Sequence, residues 1–311
     1  MKTAFLFAGQ GSQCQGMGKD FYENYPSFAK VIDEAELGFD LKRMMFEAQM
    51  EELSRTSNTQ PCMAAFAAGV LAVLSEKGIK PDYVAGLSLG EYSALYCAGV
   101  FDTDTLLKLV EFRGKVMEAA AEGIECKMSA VMGMDKETLS GLCEKVREGG
   151  EEDYVTVSNY NCTGQYVICG RLSGVCKVEG LCKEQGVKRI IPLKVSGPFH
   201  TKYMAPAAKE LEEYFASLEF GAMQYPVIFN TTAKPLAKNE TIKNQLVKQV
   251  QSSIYMEDTI QYLEAEGVER IIEIGPGKAL SGFVKRTAPG ITCYSISDVA
   301  GLEEVMKLYE A

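Results

Sequence analysis

The 311-residue chain has one histidine, no C-x-x-C pair among its ten cysteines, and more acidic than basic residues, 42 against 32. Each scarcity removes a class of function. Zinc sites draw on clustered Cys and His, so a single His leaves no metal-ligand set and metal catalysis is not expected. Cysteines scattered through apolar stretches, such as Cys97 and Cys169, point to reduced thiols in a cytoplasm. A net charge of −10 repels polyanions, and no basic aromatic patch offsets it, so nucleic acid is not an expected partner. No window is read as reaching the ~20 apolar residues of a membrane span. The opening MKTAFLFAGQG reads as a strand entering a glycine turn rather than as a secretory signal. Internal repeats and low-complexity linkers are also lacking.

What is present is ordinary globular composition, 47% hydrophobic and 24% charged, in a chain long enough for one large domain with an insertion. Thr3–Phe7 reads as a buried strand closed by Gly9-Gln10-Gly11-Ser12-Gln13. Pro61–Glu76 reads as a helix capped by Thr59 or Gln60, with Pro in its first turn and Gly78 as terminator. Strand Tyr83–Leu87, helix Leu89–Ala98 and an Asp102-capped helix to about Met117 follow. Such alternation implies a parallel sheet flanked by helices. From Met128 the order changes to strand Met128–Met134, helix to about Arg147, strands Tyr154–Ser158 and Gln165–Cys169, helix Ser173–Gln185 and strand Lys188–Leu193. That βαββαβ order is ferredoxin-like. The expected fold is therefore α/β, with a large domain over 1–125 and 195–311 and an inserted α+β subdomain over 126–194.

Gly86-Leu87-Ser88-Leu89-Gly90 fits G-x-S-x-G between a strand and a helix. A serine there sits on a strained turn, and the helix behind it offers free N–H groups and a dipole to a developing oxyanion. A serine hydroxyl needs a base near neutral pH, and His200 is the one histidine available. It follows Ser196-Gly197-Pro198-Phe199, where Gly-Pro ends the preceding strand. Arg113 lies within an apolar stripe of Leu106, Leu109, Val110 and Met117. Two readings stand level: a side chain whose stem covers the core while its head reaches water, or a guanidinium turned into a pocket to grip a carboxylate bidentately. The Gly9–Gln13 loop lacks the G-x-x-x-x-G-K-[ST] of a phosphate loop. Its main-chain N–H groups are candidate oxyanion donors. Two basic clusters, Lys188/Arg189/Lys194 and Lys278/Lys285/Arg286, are either solvated faces or landing sites for an acidic partner.

Together these segments resemble the malonyl-CoA:acyl carrier protein transacylase family. The resemblance runs through FAGQGSQ at Phe7–Gln13, GLSLGEYSAL at Gly86–Leu95, CAGVF at Cys97–Phe101 and RGKVM at Arg113–Met117. It continues through NCTGQYVICG at Asn161–Gly170, GPFH at Gly197–His200 and EIGPGKAL at Glu273–Leu280. It implies a hydrolase-like parallel-sheet domain with a ferredoxin-like insert. It implies Ser88 as nucleophile, His200 as general base, the main-chain N–H groups of Gln10 and Leu89 as oxyanion hole, and Arg113 as the grip on the malonyl carboxylate. The Gln249 carbonyl would orient the histidine in place of a carboxylate. One departure is Leu87, where the family usually carries histidine; Leu89 and Phe199 resemble the malonyl-type motifs. The implied reaction moves malonyl from malonyl-CoA to the phosphopantetheine thiol of acyl carrier protein for fatty acid biosynthesis, without metal or other cofactor, in a cytoplasmic monomer. Rival readings are a polyketide acyltransferase acting in trans, a serine esterase or thioesterase, and a non-catalytic carrier-docking module.

Overall fold

A computed structural model describes residues 1–193 and 197–310; Lys194 and Ser196, named above, lie outside the described residues, as does the expected 194/195 boundary. Two units emerge, Met1–Lys115 with Glu219–Asn239 and Thr259–Ala311, and Val116–Leu218 with Glu240–Asp258. This division differs from the expected insert of 126–194. Strand Ile254–Tyr255 and helices Ala205–Ala216 and Ile242–Val250 all fall in the second unit. Their sequence positions lie beyond the insert, but their pairing partners lie within that unit: Ile254 and Tyr255 extend its sheet, and the two helices pack on each other. His200 and Gln249, expected in the large domain, accordingly belong to the second unit.

The first unit is built on five parallel strands: β1 (Lys2–Phe7), β2 (Tyr83–Gly86), β7 (Val227–Ile228), β9 (Val268–Ile274) and β10 (Thr292–Ile296). Their order is β10-β9-β1-β2-β7. β1 is buried from Thr3 onward, as its unbroken apolar run requires of a strand with neighbours on both sides. Parallel pairing brings the loops after β1, β2 and β7 to one edge, the carboxyl edge where α/β sheets place their sites.

Helix Thr56–Glu76 begins five residues before the expected Pro61, so the proline lies inside it. The early turn holds because the Arg55 carbonyl accepts from the N–H groups of Asn58 and Thr59, at 3.0 and 2.8 Å, and Pro61 forgoes only its own donor. By length and composition this helix is apolar enough to cross a membrane, which corrects the reading that no window is. Its apolar residues serve burial instead: 78% of that stretch is buried within the fold. Helix Thr103–Ala121 follows Asp102, whose carboxylate accepts from Thr105 N–H at 2.8 Å.

The second unit carries β3 (Cys126–Met132), β4 (Val155–Cys162), β5 (Gln165–Arg171), β6 (Arg189–Pro192) and β8 (Ile254–Tyr255), in the order β6-β3-β5-β4-β8. The first four pair antiparallel, the arrangement that a βαββαβ order calls for, and β8 adds a short parallel strand beside β4. Helices Lys136–Arg147 and Leu172–Glu184 cover one face, burying Leu139, Cys143, Val175 and Val178 against Val131, Val155 and Ile168. Asp135 caps the first of these, its carboxylate accepting from Thr138 N–H at 2.8 Å.

Candidate active site

The turn after β2 has the strained geometry expected of an elbow. Only three described non-glycine residues have positive φ, and they are Ser88 (54°), His200 (58°) and Ala233 (52°). Left-handed backbone at a non-glycine residue persists where surrounding bonds over-determine it, and such strain gathers at functional positions. Two of the three are the proposed nucleophile and base.

In the first unit, Leu87 N–H donates to the Phe7 carbonyl at 3.0 Å, so the elbow hangs from the end of β1. The glycines around it are there for space. A Cβ on Gly90 would lie 2.1 Å from the Phe7 carbonyl oxygen, and one on Gly9 would lie 2.4 Å from that of Leu87. The Gly9–Gln13 loop thus runs directly against the elbow. Helix Gly90–Cys97 starts two residues after Ser88, with Leu89 at its N-cap. Neither the Gln10 nor the Leu89 main-chain N–H is engaged in a hydrogen bond among the described residues.

Arg113 separates its two sequence readings. Its residue is 1% exposed, within a stripe where Leu106, Leu109, Val110 and Met117 are also buried. A side chain reaching for water would leave its head outside, so the snorkelling reading fails. The guanidinium instead turns inward: Nη1 donates to Gln60 Oε1 at 2.9 Å and Nη2 to Ser88 Oγ at 3.3 Å. Its carbon stands 5.0 Å from the centre of the Tyr92 ring, a cation–π distance. Burial pulls the guanidinium below its ordinary pKa, an effect that nearby Tyr92 and Glu91 oppose, and burial pushes the Tyr92 phenol up to about 12. At pH 7 the arginine is still charged.

In the second unit, His200 is 4% exposed and its Nδ1 lies 2.9 Å from the Gln249 carbonyl oxygen. A carbonyl only accepts, so Nδ1 carries the hydrogen and Nε2 keeps the lone pair of a base. Thr201, beside it, ties the turn by donating its hydroxyl to the Pro198 carbonyl at 2.6 Å. Gln249, itself fully buried, sits near the end of helix Ile242–Val250.

The first unit therefore gathers Ser88, Leu89, Arg113 and the Gln10 loop, and the second gathers His200 and Gln249. Leu87 is half-buried at the elbow. Two further residues were not singled out as site residues from sequence. Gln60 carries only the signal of a helix cap, yet it holds Arg113. Asn230 carries no signal in the sequence, yet it bonds the elbow itself. No motif marks either, because each acts through a partner remote in sequence.

An acyl transferase domain model matches residues 4–302. The Bacillus subtilis malonyl CoA-acyl carrier protein transacylase is 43% identical over 304 residues, spanning 97% of this chain and 95% of its own. The crystal structure of MCAT from Streptococcus pneumoniae superposes with a TM-score of 0.92 at 41% identity, covering 99% of this chain and 100% of the other. A type II PKS acyl-carrier protein in complex with its malonyl-transacylase offers a further match, TM-score 0.94 at 36% identity, again over 99% and 100%. By sequence and by fold, over nearly its whole length, the chain belongs to the acyl transferase domain family and, within it, to the malonyl CoA-acyl carrier protein transacylases.

Proposed function

We propose that the protein moves a malonyl group from malonyl-CoA to the phosphopantetheine thiol of acyl carrier protein through a malonyl-Ser88 intermediate. His200 Nε2 takes the Ser88 proton as Oγ attacks the thioester carbonyl. The Gln10 and Leu89 N–H groups, which have no other partner among the described residues, receive the negative charge on the carbonyl oxygen. Collapse breaks the carbon–sulfur bond, and His200 returns the proton to the departing CoA sulfur. The carrier thiol then gives its proton to His200 and attacks the acyl-serine. Malonyl leaves as a new thioester, and Ser88 regains its proton. One thioester is exchanged for another, so the chemistry calls for no metal, redox group or other cofactor. The chain is proposed to work as a cytoplasmic monomer in fatty acid synthesis.

The observation that carries the substrate assignment is Arg113. A buried guanidinium donating to Ser88 Oγ at 3.3 Å is placed to pair with a carboxylate close to the reacting carbonyl. An esterase acting on neutral acyl groups has no use for that charge. The same chemistry in a polyketide pathway is the second reading, favoured by the likeness to the type II PKS malonyl-transacylase. The test is product analysis with malonyl-CoA and phosphopantetheinylated carrier protein. Malonyl-carrier formation that outpaces free malonate supports transfer; dominant hydrolysis supports the esterase reading.

A further inference from the structure

The elbow is strained, and something must hold it. β7 pairs in parallel register with β2, Val84 opposite Val227 and Ala85 opposite Ile228. Two residues beyond Ile228, the chain delivers Asn230 alongside Leu87. Asn230 is fully buried. Its Oδ1 accepts from Ser88 N–H at 2.8 Å and its Nδ2 donates to the Gly86 carbonyl at 2.7 Å. The amide orientation follows from chemistry, since an N–H only donates and a carbonyl only accepts. Its own main-chain N–H donates to the buried Glu91 carboxylate, so the clamp is in turn tied to the helix behind the nucleophile.

The structure assigns Asn230 as a positioning residue for the nucleophile, an inference that rests on the acyl-serine reading above. One planar carboxamide spans the peptide groups on both sides of Leu87. It satisfies Ser88 N–H and Gly86 C=O together and so holds Ser88 at φ 54°. It also turns the Ser88 N–H into the protein, which leaves the oxyanion to Leu89 and Gln10. Aspartate cannot replace it: an ionised carboxylate accepts from Ser88 but offers nothing to the Gly86 carbonyl. Alanine drops both bonds.

The experiment compares the parent with Asn230→Ala and the equal-sized Asn230→Asp. Rapid-quench intact mass gives the rate and amplitude of Ser88 acylation by malonyl-CoA and acetyl-CoA. A fluorophosphonate probe reads the same serine without any malonyl requirement, and thermal melting reports the fold. A positioning role lowers the acylation rate about 10- to 100-fold, the scale of a lost buried hydrogen bond. The factor is the same for both esters and the probe, with full amplitude and unchanged KM for malonyl-CoA. Parent-like rates in both variants would overturn the assignment. So would a loss of amplitude alone, or loss of folded protein in both variants, since either makes Asn230 merely structural. If the parent labels with the probe but not with malonyl-CoA, the substrate reading fails while the probe arm still tests Asn230.

Discussion

The guanidinium of Arg113, on helix Thr103–Ala121, donates from Nη2 to Ser88 Oγ across 3.3 Å, although Ser88 is 25 residues away in sequence, in the turn after β2. In the proposed mechanism that bond ties the residue that selects the substrate to the residue that attacks it. Malonyl and acetyl thioesters react alike at the carbonyl and differ by one remote carboxylate. Losing the partner of a buried charge costs about 2–5 kcal/mol, which is roughly 30-fold to a few thousand-fold in kcat/KM. Arg113→Ala should lose malonyl activity by that factor and keep or gain acetyl activity. Arg113→Lys should recover only part, because ammonium lacks the planar fork. Equal losses for both esters would make Arg113 structural.

His200 bonded through Nδ1 to the Gln249 carbonyl presents Nε2 as a base without help from a carboxylate. His200→Ala should lower kcat by about 10²–10⁴, the scale of a removed general base. Acylation within a few-fold of the parent would mean that Ser88 is activated in another way.

Much of this was legible in sequence because the signal was local. A serine in G-x-S-x-G between strand and helix, the one histidine, and an arginine in an apolar stripe each stand out along the chain. Asn230 does not, because its role comes from the β2–β7 register, set by a strand of only two residues. Such a strand leaves no period to read. For the same reason β8, also two residues long, carries no signal in the sequence. Pro61 misled through its usual preference for the first turn, whereas the helix starts at Thr56 and tolerates it inside.

A second buried carboxylate has a structural role. Glu273 accepts from Leu280 N–H at 3.0 Å and from Ser281 N–H at 2.8 Å, closing the start of helix Ala279–Thr287 onto β9. Glu273→Ala orphans both donors, at about 1–3 kcal/mol for each buried group left unsatisfied. Melting should therefore fall by several degrees. An unchanged midpoint would show that the Gly275–Gly277 turn positions the helix by itself.

The cysteines test burial and pH together. Cys14 and Cys176 are exposed, whereas Cys62, Cys143, Cys162, Cys169 and Cys182 are buried. Burial pushes the Cys62 and Cys169 thiols far up and takes Cys143 to about 12. Burial, then the Asp20 charge, raises Cys14. The thiolate is the reactive form, so a raised pKa means slow labelling that speeds up as pH rises toward it. Iodoacetamide on native protein at pH 8 should mark Cys14 and Cys176 first, with Cys14 gaining as pH increases. Mass-mapped labelling of Cys62 or Cys169 before denaturation would contradict the packing.

The most direct test of the central claim is intact mass after brief exposure to malonyl-CoA, with and without phosphopantetheinylated carrier protein. One malonyl adduct should form that maps to Ser88, is absent from Ser88→Ala, and is discharged onto the carrier thiol. An adduct that persists on Ser88→Ala, or one that the carrier cannot discharge, would contradict that claim.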